Sequence, residues 1–246
     1  MTAAIVQLRG LSKHFGGVHA VRDVDLELRA GEVVGLLGHN GAGKSTLIKL
    51  LSGALVRDEG DILIDGRAVR LRDPRDARGF GIETIYQELA LADNLDATAN
   101  LFLGRELVTK WGLLDHRAME RVARDVIGQV NSNFDAFGTP VGSLSGGQRQ
   151  AIAIGRAIHF GARMFIMDEP MAALGPQESE LVAEWIRRLV ERGMAILLVS
   201  HDLHSVFDLS DRIVVMRSGR VAAVASTSEV TRDQVLGWMI AGDSAG

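Results

Sequence analysis

Apolar and polar residues alternate over residues 5–11 and again over 24–28, the two-residue period of strands with one buried face. Ala30-Gly31 then turns the chain into Glu32-Val33-Val34-Gly35-Leu36-Leu37, a short apolar run suited to a strand buried on both faces. A glycine-rich stretch separates it from residues 44–51, whose pattern predicts a helix ending near Gly53. Residues 62–64 and 82–86 predict further strands.

From residue 88 to residue 160 the period changes. Asp115 is placed to cap a helix in which Met119, Val122, Val126, Ile127 and Val130 fall on one face. Residues 145–160 predict a second helix, packed through Ile152, Ala153 and Ala157. After this mainly helical insertion, strand and helix alternate again. Residues 163–167, 195–200, 213–216 and 221–225 read as strands, and 176–191, 203–209 and 233–240 as helices. That alternation predicts an α/β fold with a mostly parallel sheet covered on both faces. Residues 1–246 are expected to form one domain, its catalytic core being 1–87 and 161–246, with about 88–160 inserted.

Composition narrows the function. The 246 residues carry 27 Lys+Arg against 31 Asp+Glu, a net charge of −4, which argues against holding nucleic acid by bulk charge. The absence of cysteine excludes a disulfide framework, thiolate zinc, iron–sulfur chemistry and a cysteine nucleophile. The first ten residues lack the basic stretch and apolar run of a signal peptide. No segment reaches the roughly 18 apolar residues of a membrane span, so work at a membrane would require a partner that crosses it.

The candidate chemistry begins at Gly38-His39-Asn40-Gly41-Ala42-Gly43-Lys44-Ser45-Thr46, a phosphate-binding loop pattern between a strand and a helix. Its glycines let backbone N–H groups point at phosphate oxygens, and the helix start adds partial positive charge. Lys44 is expected to reach the β and γ phosphates and Ser45 to ligate Mg²⁺. Met164-Phe165-Ile166-Met167-Asp168-Glu169-Pro170 is an apolar strand ending in adjacent carboxylates. Ligands collect at the carboxyl ends of parallel strands. Asp168 is therefore expected to hold Mg²⁺ with Ser45, and Glu169 to orient or deprotonate an attacking water. Leu144-Ser145-Gly146-Gly147-Gln148 combines a helix cap with two glycines, leaving first-turn amides open to an anion. With one phosphate loop already in the chain, this second terminus is best explained as serving another subunit's nucleotide.

These segments, with Gln87 and His201, occur in the order and spacing of ABC-type ATPases, which the chain resembles over nearly its whole length. Leu-Ser-Gly-Gly-Gln is that family's signature. Gly81-Ile82-Glu83-Thr84-Ile85-Tyr86-Gln87-Glu88, Leu89-Ala90-Leu91 and Asn100-Leu101-Phe102-Leu103-Gly104-Arg105 resemble the monosaccharide-importer branch, which serves ribose, xylose, galactose and fructose. The resemblance implies a P-loop cassette with a RecA-like core, an antiparallel β subdomain and a helical insertion. It also implies a head-to-tail homodimer with ATP between the phosphate loop of one copy and Ser145, Gly146, Gly147 and Gln148 of the other. In that scheme Gln87 senses Mg²⁺ and nucleotide, His201 contacts the γ-phosphate and positions Glu169, and Phe15 stacks on adenine or else packs in the core. The implied partners are membrane permease subunits and, indirectly, an external sugar-binding protein, with the ATPase on the cytoplasmic face of the cell membrane.

Some features depart from the family pattern or have plainer readings. Gly175 stands where most relatives carry an aspartate, and His39 is uncommon in the loop. One cassette is read where many sugar-importer ATPases fuse two, and with Gly246 as the last residue no regulatory domain is expected. Trp111, Trp185 and Trp238 read as packing residues, Asp202 as a helix cap, and residues 67–78 as a solvated surface with turns. His201 and His204 lack a third ligand at convincing spacing, which weighs against a metal pair. The alternatives are an ATPase for another cargo, such as an amino-acid importer or an exporter, or a soluble ABC ATPase outside transport.

Overall fold

The computed structural model describes residues 4–86, 89–172 and 174–240. In chain order the elements are β1 (Ala4–Phe15), β2 (Val18–Arg29), β3 (Val33–Leu37), α1 (Lys44–Leu51), β4 (Glu59–Ile64), β5 (Arg67–Val69), α2 (Pro74–Gly79) and β6 (Ile82–Ile85). There follow α3 (Ala97–Phe102), α4 (His116–Val130), α5 (Gly146–His159), β7 (Met164–Asp168), α6 (Pro176–Glu191), β8 (Ala195–Val199) and α7 (Leu203–Leu209). Last come β9 (Arg212–Arg217), β10 (Arg220–Ser226) and α8 (Arg232–Ile240).

The chain divides into two compact units. The first comprises Met1–Thr84, Arg163–Pro170 and Ile186–Gly246. It contains a six-stranded sheet in the order β10-β9-β3-β8-β7-β6 and a four-stranded sheet in the order β2-β1-β4-β5. β3 pairs in parallel with β8 and β9, and β7 in parallel with β8, while β10 runs antiparallel to β9. In the four-stranded sheet β1 runs antiparallel to both β2 and β4. The central strands of the larger sheet are apolar because both their faces are covered: every residue of β3 and of β8 is buried.

Register fixes what lies at the strand ends. Leu36 is level with Val199, and Val199 with Asp168, so β3, β8 and β7 finish side by side. Gly35 lets α7 approach: a Cβ there would lie 2.5 Å from Val206 Cγ1 and 2.7 Å from Ser210 Oγ. At the opposite end the Asp211 carboxylate accepts the Val33 N–H (2.8 Å), and Arg212 is held by Glu32 (Nε–Oε1 2.9 Å) and the Glu27 carbonyl (2.6 Å).

The second unit is Ile85–Ala162 with Met171–Trp185. Beside the expected insertion of about 88–160, this unit holds residues 171–185, which include the start of α6. The physical link is local: the Glu178 carboxylate accepts the Gly147 N–H (3.5 Å), and Leu174 packs where a Gly146 Cβ would stand. α4 is capped by Asp115, which accepts the Ala118 N–H (3.0 Å). Its buried stripe is Met119, Ala123, Val126, Ile127 and Val130. Val122, expected on that face, is only half-buried, because the stripe is centred one residue further round and Ala123 fills the place.

Three elements escaped the pattern reading: β5, α2 and α3. α2 lies within the stretch taken as surface turns, announced by Asp73 as cap and Pro74 at the first helical position. α3 follows the Asp96 cap, and its fully buried Asn100 binds the Ala92 N–H and the carbonyls of Ala92, Leu95 and Asp96. Trp185 is buried as expected, but Trp111 is 78% exposed, at the tip of a short ribbon closed by a Val108–Leu114 bridge. None of the described helices is long and apolar enough to cross a membrane.

Adding a methyl at Gly35 must displace the buried Val206 and Ser210, which are held on α7 with little room to move. Gly35→Ala should lower stability by about 1–3 kcal/mol, the usual cost of overpacking a tight interior, seen as a reduced thermal midpoint.

Candidate nucleotide site

The loop after β3 is shaped by glycines at two positions that accept no side chain. Gly38 (φ 155°) and Gly43 (φ 105°) would drive a Cβ to 2.4 Å from the Met216 and Ala20 carbonyl oxygens respectively. Gly41 (φ 83°) faces open space. The turn closes through Ala42 N–H to the His39 carbonyl (3.1 Å) and Gly219 N–H to the Ala42 carbonyl (3.0 Å). α1 therefore starts from a left-handed Gly43, and no side chain among the described residues caps its first amides. Ser45 is exposed at that start, beside half-buried Thr46, and Asn40 and His39 are exposed on the loop.

Lys44 folds back along the loop, its Nζ donating to the carbonyls of Gly38 (2.6 Å) and His39 (3.2 Å). Burial lowers its pKa, opposed by the charges of Glu169 and Asp168. Burial and the neighbouring Glu169 charge raise the Asp168 pKa, with Lys44 acting against them. The charges of Glu169 and Asp168 thus act on Lys44, and the charge of Lys44 acts back on Asp168.

Glu169 is the most constrained of these residues. Its N–H donates to the Val199 carbonyl (2.8 Å), one step past the β7–β8 ladder, and its backbone is left-handed (φ 53°). A non-glycine residue there costs on the order of 1 kcal/mol, a strain that surrounding bonds must hold. They do so on the side chain: Ser200 Oγ donates to Glu169 Oε2 (3.2 Å), and His201 Nδ1 lies 2.8 Å from Oε1. Ser200 is buried while His201 is 80% exposed, so the imidazole orients the carboxylate with its other nitrogen facing out. Asp202 caps α7 as expected, accepting the His204 and Ser205 amides and the Ser205 hydroxyl, and these bonds hold its carboxyl below the usual range.

In the second unit, α5 begins with a capping box. Ser145 Oγ accepts the Gln148 N–H (3.3 Å) and Gln148 Oε1 accepts the Ser145 N–H (3.1 Å). Gly146 and Gly147 form the first turn, and Glu178 spans the Gly147 and Gly175 amides (3.5 and 3.4 Å). Phe15 ends β1 with its ring 50% exposed, so the core-packing alternative does not hold. Gln87 lies outside the described residues.

The structure thus gathers Lys44, Asp168, Glu169, Ser200 and His201 around the loop. Ser200 is the member the sequence reading missed, and its only signal was its position at the apolar end of β8, next to His201. Loop, paired acids and glycine-opened helix define a P-loop nucleotide-binding cassette. The ABC transporter family model matches residues 21–172, and the chain belongs to that family. It is 42% identical over 242 residues to the fructose import ATP-binding protein FrcA of Rhizobium meliloti, covering 96% of this chain and 93% of that protein. It is 40% identical over 231 residues to the xylose/arabinose import ATP-binding protein XylG of Sulfolobus acidocaldarius, covering 94% and 92%. The ribose import ATP-binding protein RbsA 3 of Rhizobium meliloti (strain 1021) is 40% identical over 98% of this chain, which spans only 47% of that relative's length. Among solved structures, a nucleotide-free ATP-binding cassette from an ABC transporter superposes with a TM-score of 0.84 at 24% identity, over 97% of this chain and 99% of that one.

Gly43→Ala combines an unfavourable backbone conformation with a clash against the Ala20 carbonyl. It should abolish measurable ATP binding in titration calorimetry and cost about 2 kcal/mol or more of stability.

Proposed function

We propose that this chain is the ATP-hydrolysing subunit of an importer, most simply of a monosaccharide, working as a head-to-tail homodimer against permease subunits on the cytoplasmic face of the membrane. The observation that carries the hydrolytic reading is the Glu169 carboxylate, fixed by His201 Nδ1 and Ser200 Oγ beside Lys44. The sugar reading is supported by the fructose, xylose/arabinose and ribose import relatives. With no membrane-crossing helix among the described residues, the permease subunits supply the path and, with an external sugar-binding protein, choose the cargo.

When ATP enters, its phosphates take the amides of the loop and the α1 start, and Lys44 exchanges the Gly38 and His39 carbonyls for β and γ oxygens. That exchange replaces neutral acceptors with anionic ones, which strengthens each bond. The exposed Ser45 hydroxyl and the Asp168 carboxylate form an all-oxygen donor set of the kind Mg²⁺ prefers, and Gln87 belongs to it by resemblance. Bound there, Mg²⁺ would neutralise charge on the phosphate oxygens.

Glu169 then accepts the proton of the water that attacks the γ-phosphate, while the strained backbone and its two side-chain partners keep the carboxylate aimed. His201, exposed beyond that contact, offers its second nitrogen to the γ-phosphate. The Ser145 hydroxyl keeps its own proton for donation to the phosphate of the other copy, with Gly146, Gly147 and Gln148 around it. Phe15, exposed, takes the adenine face.

Glu169→Gln keeps the shape and removes the base. It should lower kcat by about 10²–10⁴-fold and trap a dimer in saturating MgATP, read by sedimentation velocity. A variant that stays monomeric would sink the two-copy mechanism. A tagged wild-type chain pulled from gently solubilised native membranes should bring down a multi-span subunit; recovery of ribosomal or DNA-associated proteins alone would overturn the transport reading.

A further inference from the structure

The exposed Phe15 ring stands at a point where the backbone has little reason to be rigid. β1 ends with it, and the next residues, Gly16 (φ 57°) and Gly17, have nothing within 4 Å of where a side chain would begin. On one flank β1 is paired with β2 to the end, through Lys13–Val21, His14–His19 and Phe15–Val18, but with register shifts on both sides of Lys13. On the other flank the β4 ladder stops at Ser12–Glu59. An aromatic at the tip of a glycine hairpin with one paired edge would sample many orientations.

Asp58 continues the missing edge. Its own N–H donates to the Ser12 carbonyl (3.0 Å), and its carboxylate then replaces the next strand residue: Oδ2 accepts the His14 backbone N–H (2.8 Å) and Oδ1 accepts Lys13 Nζ (2.8 Å). His14 Nε2 lies 3.4 Å from the same carboxylate, and Lys13 Nζ is 5.5 Å from the centre of the Phe15 ring. A lone surface ion pair contributes little. Here one carboxylate fixes a main-chain amide and the lysine beside the ring at once, and the Lys13 and Asp58 side chains are only 16% and 24% exposed.

We propose that Asp58 is a positioning residue for the nucleotide base: by holding Lys13 and the His14 amide it keeps the Phe15 ring presented as a stacking platform, so that it governs affinity for the nucleoside and not for the phosphates. This rests on the reading of Phe15 as the adenine platform. A pre-set ring spares the ordering cost that a mobile one would lose on binding.

The experiment compares ATP with inorganic tripolyphosphate, which occupies a phosphate loop but has no base. Dissociation constants are measured by titration calorimetry for the wild type, Asp58→Ala, Asp58→Asn, Phe15→Ala and the Phe15→Ala/Asp58→Ala double variant, with kcat at saturating MgATP. Asp58→Ala should weaken ATP binding about tenfold, the scale of one aromatic stack, leaving tripolyphosphate affinity and kcat unchanged. Asp58→Asn retains an acceptor for the His14 amide and should recover part of the loss. Added to Phe15→Ala, Asp58→Ala should cause no further loss. Equal weakening of both ligands would reduce Asp58 to a structural residue and overturn the proposal, as would unchanged ATP affinity. Wild-type ATP affinity in Phe15→Ala would instead refute the platform itself, and the role of Asp58 with it.

Discussion

Where β7 ends, the Glu169 N–H reaches across to the Val199 carbonyl (2.8 Å) and the backbone turns into the left-handed region. The site depends on that bond. It extends the parallel pairing by one residue, so that Asp168 finishes in register with Val199 while Glu169 departs from the sheet. Because Ser200 and His201 leave the neighbouring strand at the same level, the turn delivers the Glu169 carboxylate to both of them. A parallel ladder is thus what brings these side chains together from segments far apart in sequence, and covered faces are what keep that ladder in one register.

The same ladder explains the placement of glycine. β3 can lie against α7 only because Gly35 has no side chain, and α7 starts at once after the Ser200-His201-Asp202 turn. Its cap, Asp202, receives the His204 and Ser205 amides and also takes part in the turn through its own N–H to Ser200 Oγ (3.1 Å). Ser200 therefore joins two tasks, donating to Glu169 and accepting from Asp202. Its burial makes both bonds count, since a polar atom out of water needs partners.

Much of this was legible in the chain. The apolar runs of β3, β7 and β8, the loop at residues 38–46 and the acids after Met167 are local signals, and periodicity and turn chemistry report local structure. Trp111 was misjudged for the opposite reason: whether a large ring is covered depends on contacts with distant segments. α2 was within reach, because Asp73-Pro74 is a sound helix start, but the density of charge around it favoured a reading as surface. The left-handed backbone of Glu169 had no sequence signal at all, since glutamate, unlike glycine or the Asp23 and Asp65 aspartates, has no local preference for it.

The two helix starts that the sequence presents as anion-binding prove to be built differently. α1 opens on a left-handed Gly43 without a side-chain cap, and Lys44 beside it bonds only to backbone carbonyls, those of Gly38 and His39, among the hydrogen bonds of the described residues. α5 opens on a closed capping box, with Glu178 bonded to the Gly147 amide as well. Three of its orphan donors thus already have acceptors within the chain. Glycine plays different parts in the two places: at Gly43 it provides a backbone conformation, and at Gly146 it admits the tip of Leu174, whose Cδ2 would lie 2.5 Å from an added Cβ. Glu178 also takes the Gly175 N–H, so although Gly175 itself brings no carboxylate, one does lie against this segment, and its two oxygens tie residue 175 to the first turn of α5. A negative charge held near a helix start is favourable in its own right. The α5 terminus is therefore stable as it stands, whereas the α1 terminus leaves its donors to whatever anion the loop receives.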